Sequence, residues 1–331
     1  KFVALLAMFA LIHQKSDYVI YGGISIFASS ASNLCNLANV HRYIQLRPVG
    51  QYHFKRHLKP ILIFFAMSCA TTIYTNLDTV MLGFMKTDVD VGYYNAAVKI
   101  KNVLLGVVTS LGTVLLPRAS YYVENGEVGQ FKKITKKAIE FVFLIAPSLA
   151  IYFILFAKEG IFFLSGDAYA ASIFPMQIIM PTLIFIGLTN IMGIQMLVPL
   201  GREKVVLYSE VAGAIVDLIL NALLIPRMAS AGAAIGTLAA EAVVWVVQYV
   251  ALRKDVASAY RSVKYWAILL ALAVGSFASL WVKNLMLGSF VTLVLSAILF
   301  YGTYGIVLLL TREPLVWEIS TQVFEKIKRS E

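Results

Sequence analysis

The chain has 331 residues, of which 60% are hydrophobic and only 14% charged, with a mean hydropathy of +0.79 and a formal net charge of +10. A water-soluble domain carries about half its residues as apolar and about a quarter as charged, so this composition excludes one and calls for lipid as the solvent. The basic excess by itself would suit nucleic acid, but its distribution assigns it to membrane topology and argues against that partner.

Crossing a hydrocarbon core of about 30 Å takes roughly 20 apolar residues in a helix, because lipid offers backbone groups no other partner. Residues 2–12 are apolar but short, and the chain is predicted to begin inside a helix. Further spans are predicted at 19–40, 58–82, 93–116, 138–157, 172–198, 204–224, 232–252, 264–282 and 289–310. The connections alternate in charge. Segments 41–59, 117–137, 201–204 and 253–264, with the tail 311–331, hold 20 of the 28 Lys and Arg, against 5 in the opposite connections. That bias places the first set, and the C-terminus, in the cytoplasm. Residues 131–137 and the tail around Val316, Ile319, Val323, Phe324 and Ile327 pair an apolar face with a basic one, and are read as resting on anionic headgroups. Cys35 and Cys69 fall in apolar stretches and are read as buried thiols.

Charges at membrane depth are costly and mark a pathway or a site. They are Asp78 in the third span, Lys99 and Lys101 in the fourth, Glu210 and Asp217 in the seventh, and Glu241 in the eighth. Helical spacing sorts the polar residues into stripes. The second span has Ser25, Ser29, Ser32, Asn36 and Asn39, and the third Ser68, Thr71, Thr75 and Asp78. The fourth has Asn95, Lys99, Asn102, Thr109 and Thr113; Lys101 lies off that stripe among apolar neighbours, so Lys99 is taken as the cavity lysine. Glu210, Asp217 and Asn221 share a face of the seventh span, and Thr237 and Glu241 one of the eighth. Five such stripes predict an all-α helix bundle around a hydrated cavity. A Ser/Thr stripe serves close packing equally well, and for the second span both readings stand. Gly232 and Gly236, spaced as GxxxG, are read as packing.

Asp78 precedes Gly83, Asn221 precedes Pro226, and Thr237 follows Gly232, each by five residues or roughly 8 Å. They are thus predicted at one level in the outer half of the membrane, with Asp217 one turn deeper. Two carboxylates, an amide and a hydroxyl form an all-oxygen set suited to a hard cation such as sodium, or to a proton. No organic cofactor is expected. Nor is catalysis: no GxSxG, P-loop, HExxH or paired CxxC occurs, and His53 and His57 sit in a basic loop without an acidic or thiolate neighbour.

Several segments carry a family resemblance: NLDTVMLG at 76–83, VGYYNAAVKI at 91–100, LPRAS at 116–120 and GREK at 201–204. The more specific run is Asp217, Asn221 and Leu-Ile-Pro at 224–226, then GAAIGT at 232–237 and Glu241. They resemble the second half of polysaccharide flippases in the multidrug/oligosaccharidyl-lipid/polysaccharide exporter superfamily. The resemblance implies two six-helix bundles around a central cavity, followed by two extra helices. Residues 1–57 would close the first bundle and carry the interlobe loop. Residues 58–254 would be the complete second bundle, and 255–331 the extra pair with its tail; about four N-terminal helices would be missing. It implies a multi-pass protein of the bacterial plasma membrane that flips an undecaprenyl-diphosphate-linked oligosaccharide by alternating access. Its partners would be the lipid-linked saccharide, membrane lipids, and the polymerase and glycosyltransferases of the same process. Lys99, Asn95, Asn102, Ser29 and Asn36 would then engage substrate, and Asp78, Asp217, Asn221, Thr237 and Glu241 would couple an ion. Related flippases for the peptidoglycan precursor hold sodium at the positions matching Asp78, Asp217, Asn221 and Thr237, although the acid and amide of the seventh span stand here in the opposite order. The competing expectations are a drug or organic-cation antiporter, which would favour an acidic and aromatic cavity, and a membrane polymerase, which would need a long outer loop.

Overall fold

The computed structural model describes residues 2–14, 17–42 and 54–328, and among them it is helical with no strand. The chain divides into two compact units, Lys1–Leu58 and Lys59–Glu331. The first holds helices α1 (Phe2–Leu11) and α2 (Tyr18–Asn39) and a 3-10 turn, Val40–Arg42. Cys35 is exposed on α2 rather than buried, because a two-helix unit covers few of its own faces. His53 lies outside the described residues.

The second unit begins within α3 (Phe54–Met85) and continues through α4 (Asp88–Glu124) and α5 (Val128–Leu155). These are longer than the predicted spans because their polar ends continue the helix past the apolar stretch. Thr87 starts α4 with a capping box: its hydroxyl accepts from the Asp90 amide and the Asp90 carboxylate accepts from the Thr87 amide, both at 3.3 Å. Asp88 and Asp90 in the first turn also complement the helix dipole. After α6 (Ala157–Ser165) the predicted span 172–198 is broken. A 3-10 turn with α7 (Ile173–Ile179) meets α8 (Thr182–Thr189) and a π-helix, Asn190–Leu197, at a 48° bend. Pro181 stands at the break, where it withdraws a backbone donor.

Helices α9 (Glu203–Met228) and α10 (Ser230–Ser262) are joined through Ala229 alone, which is held at φ 48°. They pack so closely that a Cβ on Gly232 would stand 2.6 Å from the Leu224 carbonyl. Helix α11 (Tyr265–Leu280) with its 3-10 extension, and α12 (Ser289–Leu310), lie against α5. There Tyr152 donates to the Leu293 carbonyl at 2.7 Å and Tyr304 to the Leu144 carbonyl at 2.8 Å, so these phenols are satisfied inside apolar packing. The amphipathic α13 (Pro314–Lys328) docks through Leu315 and Val316 and through a Lys137–Glu318 ion pair of 2.6 Å, leaving Trp317 and Ile319 exposed.

Seven helices among the described residues are long and apolar enough to cross a membrane, or eight with the broken pair counted as one. Of the predicted spans, α2 is a 22-residue helix but falls outside that set, and α1 is too short. The surface is apolar: Phe84, Phe277 and Leu310 are all more than three-quarters exposed. Buried positions meanwhile include Asp78, Asp217, Asn221 and Glu241. Lipid outside and polar groups inside make this a multi-pass membrane protein.

Candidate functional site: a buried carboxylate centre

Helices α3, α4, α9 and α10 converge on one polar centre. Asp78 is 2% exposed and accepts three hydrogen bonds. Asn221 Nδ2 donates to its Oδ1 at 2.6 Å; Tyr94 and Thr237 reach its Oδ2 at 2.5 and 2.8 Å. The Tyr94 and Thr237 oxygens are themselves 2.8 Å apart. Asp78 is thus a buried carboxyl held by three donors from three other helices, the arrangement that makes a buried polar group tolerable.

Asp217 is treated differently. It lies one helical turn before Asn221, is fully buried, and feels the charge of Asp78, yet neither of its oxygens meets a donor. Asn221 Oδ1 is also buried without a donor. Gly236 makes room for both groups: a Cβ there would fall 2.3 Å from Asn221 Oδ1 and 3.0 Å from Asp217 Oδ1. The predicted packing role of Gly236 is therefore incomplete, since the missing side chain is replaced by oxygens of the centre. Asn221 Oδ1 and Asp217 Oδ1 both stand beside Gly236, and neither they nor Asp217 Oδ2 has a donor at hydrogen-bond geometry. Such a set fits a hard monovalent cation or a proton.

One turn further from the α9–α10 connection lies a second level. Tyr74, a turn before Asp78 on α3, donates to Glu241 Oε1 at 3.0 Å, and Glu241 Oε2 is buried without a partner. Deeper still, Thr71 donates to Glu210 Oε2 at 2.8 Å. The hydroxyl and carboxyl groups form a ladder down α3, with α10 and then α9 supplying the acids.

The predicted residues are distributed unevenly around this ladder. Asp78, Asp217, Asn221 and Thr237 come together, and Glu241 stands on the next level. Lys99 and Asn95 lie elsewhere, in an open recess of about 360 Å³ shared with Gly92, Ser165 and Tyr169. Asn102 is exposed and does not line that recess. Ser29, which donates to the Ser25 carbonyl at 2.9 Å, and Asn36 are exposed on α2 in the first unit.

Lys99 is exposed in its recess and Lys101 is partly buried. Residues two apart on a helix point about 200° apart, so the two lysines leave α4 on opposite sides. Tyr74 and Tyr94 were missed as site residues. Their signal was spacing: Tyr74 is i−4 from Asp78, and Tyr94 is seven residues from Lys101 on a second polar face of α4.

A family model described as a polysaccharide biosynthesis protein matches residues 1–123. A protein named "Putative O-antigen transporter" from Escherichia coli K12 is 26% identical over 250 residues, covering 75% of this chain and 60% of that protein. One of the same name from Shigella dysenteriae is 31% identical over 170 residues, covering 49% and 40%. An uncharacterised membrane protein of Methanocaldococcus jannaschii is 27% identical over 241 residues, covering 72% and 46%. Among solved structures, the lipid II flippase MurJ in an inward closed conformation superposes with a TM-score of 0.60 at 16% identity. That alignment covers 84% of this chain and 59% of MurJ, and the likeness is one of fold. The chain therefore spans six-tenths or less of the length of these relatives.

Proposed function

Because this chain is a relative of the polysaccharide flippases in the multidrug/oligosaccharidyl-lipid/polysaccharide exporter superfamily, we propose that it serves to move an undecaprenyl-diphosphate-linked oligosaccharide from the inner to the outer leaflet of a bacterial plasma membrane. Movement is by alternating access, driven by a cation that binds at Asp78, Asp217, Asn221 and Thr237. Sodium is the first candidate and a proton the second. The C-terminus is cytoplasmic, on the side of the basic connections.

The observation that carries the reading is the set of donor-less oxygens, Asp217 Oδ1 and Oδ2 and Asn221 Oδ1, buried beside Asp78. A carboxylate left thus would be strongly destabilising unless a cation or proton completes it. When bound, the cation supplies the positive charge that lets α3, α9 and α10 close around the centre. Each of the chain's own residues has a definable part. Tyr94 and Thr237 hold Asp78 charged and fixed, Asn221 bridges the two acids, and Gly236 leaves the space. The Thr71 and Tyr74 hydroxyls on α3 offer a polar route from Glu210 to the centre. Lys99 and Asn95 in their open recess present a cation and an amide to the substrate's diphosphate. That basic recess favours an anionic lipid over the organic cations of a drug antiporter.

The test is complementation of a flippase-deleted strain with the full-length gene. Asp217→Ala is expected to abolish surface polysaccharide while the protein still inserts at wild-type abundance. Full complementation by Asp217→Ala refutes the coupling site.

A further inference from the structure

The recess around Lys99 is lined by more than a docked anion needs. Lys99 is the one charged group of its lining, and Asn95, Ser165 and the ring of Tyr169 stand with it. Gly92, Asn95 and Lys99 follow one another on a single face of α4 over about 10 Å, so the recess has two ends. The cation marks the end further from the start of α4. An aromatic ring marks the other: Tyr169 stands 3.9 Å from where a Cβ on Gly92 would lie and meets Tyr93 edge to face at 5.9 Å.

The chain that brings Tyr169 there follows an unusual course. Helix α6 ends at Ser165, and Gly166 follows at φ 85° and ψ 170°, a region essentially restricted to glycine. The 3-10 turn Asp167–Ser172 then leaves helical geometry at Tyr169 itself, with φ −95° and ψ 21° in the sparsely allowed bridge region. Backbone of this kind collects at ligand clamps. Glycine at 92 keeps the floor beside the ring open. Among the described residues, nothing but the Tyr169 ring comes within 4 Å of a Cβ there, its own helix backbone and chain neighbours aside. Thr79, next to Asp78, donates to Asn95 Oδ1 at 3.4 Å, so the recess backs onto the carboxylate centre.

A phosphate is matched by cations and N–H donors and gains nothing from an aromatic wall. A pyranose is the complement of what remains. It carries hydroxyls around its edge and apolar C–H groups on its face, and an aromatic ring buries that face. We propose that the recess reads the first sugar of the lipid-linked saccharide, the pyranose joined directly to the diphosphate. Lys99 takes the phosphate, Tyr169 covers the C–H face of the sugar, and Asn95 and Ser165 bond its hydroxyls. The assignment rests on the flippase reading above and adds to it the residue that selects the sugar.

The experiment measures binding of undecaprenyl diphosphate, bare or bearing a single glucose, galactose or N-acetylglucosamine, to the purified full-length protein in phosphatidylcholine nanodiscs. At least one sugar-bearing lipid is expected to bind about tenfold more tightly than the bare one. Tyr169→Ala should remove that advantage and leave the affinity for the bare lipid unchanged, while Tyr169→Phe keeps it. Lys99→Gln should weaken both lipids alike. Should Tyr169→Ala not fold, Gly92→Leu fills the floor beside the ring and is expected to remove the advantage with Tyr169 in place. A merely structural tyrosine would lower both affinities together, and that result overturns the proposal. So does the absence of an advantage for any of the three sugars, or an advantage that survives the substitution at Tyr169 or Gly92. A wild-type protein that binds neither the bare nor the sugar-bearing lipid overturns the flippase reading and this inference with it. Equal binding of the two overturns this inference alone.

Discussion

The two faces of α4 carry one lysine each, and they differ in nearly every physical respect. Lys99 projects with Asn95 into an open recess of about 360 Å³, where water screens its charge. Lys101, two residues on, leaves the opposite side of the helix and is partly buried. The same side chain is therefore open to solvent on one face and partly covered on the other. Residue type says what charge is available, and helix rotation decides what that charge acts on.

The contrast can be broken most severely at Gly236. Gly236→Val places a branched side chain where Asn221 Oδ1 and Asp217 Oδ1 now sit, so sodium-22 binding and complementation should both fall below detection. Next, the two acids of the centre should separate in thermal unfolding without sodium. Asp78→Asn strips three donors of their anionic acceptor and is expected to lower the melting temperature by several degrees, since each such bond contributes about 1–3 kcal/mol. Asp217→Asn removes an unpartnered carboxyl and should leave the melting temperature unchanged or higher, while sodium no longer raises it. Equal destabilisation by both would contradict the asymmetry in their partners.

Tyr94→Phe takes away one donor of the three and should weaken sodium binding by about 1–3 kcal/mol in free energy without abolishing transport. The smallest effect is expected on the open face. Lys99→Gln should raise the half-saturating concentration of lipid-linked saccharide by a few-fold, in keeping with about 0.2–1 kcal/mol for an exposed charge. Its sodium affinity should stay put. A larger loss at Lys99 than at Tyr94 would reverse the ranking of the two faces.

Much of this architecture is legible without coordinates. Lipid cannot hydrogen-bond a backbone, so long apolar runs had to be helices, and α3, α4, α5, α9, α10, α11 and α12 all coincide with predicted spans. The same logic exposes Asp78, Asp217, Asn221, Thr237 and Glu241, because ionisable and amide groups rarely sit at such depth without cause. Counting residues from the helix connections placed Asp78, Asn221 and Thr237 at a common level, where the structure has them bonded to one another.

Helix rotation and partner choice depend on contacts between segments distant in the chain, and those only the tertiary structure decided. Tyr74 reads as an ordinary core aromatic when α3 is scored alone, since the Glu241 it bonds lies 167 residues away on α10. Tyr94 looks like an ordinary aromatic until α3 brings Asp78 against it. The break near Pro181 and the π-helix after it interrupt a run that is predominantly apolar and uncharged in sequence. Gly236 shows the division most plainly: spacing marks it as a site of close approach, but only the packed helices reveal that what approaches is a pair of buried side-chain oxygens.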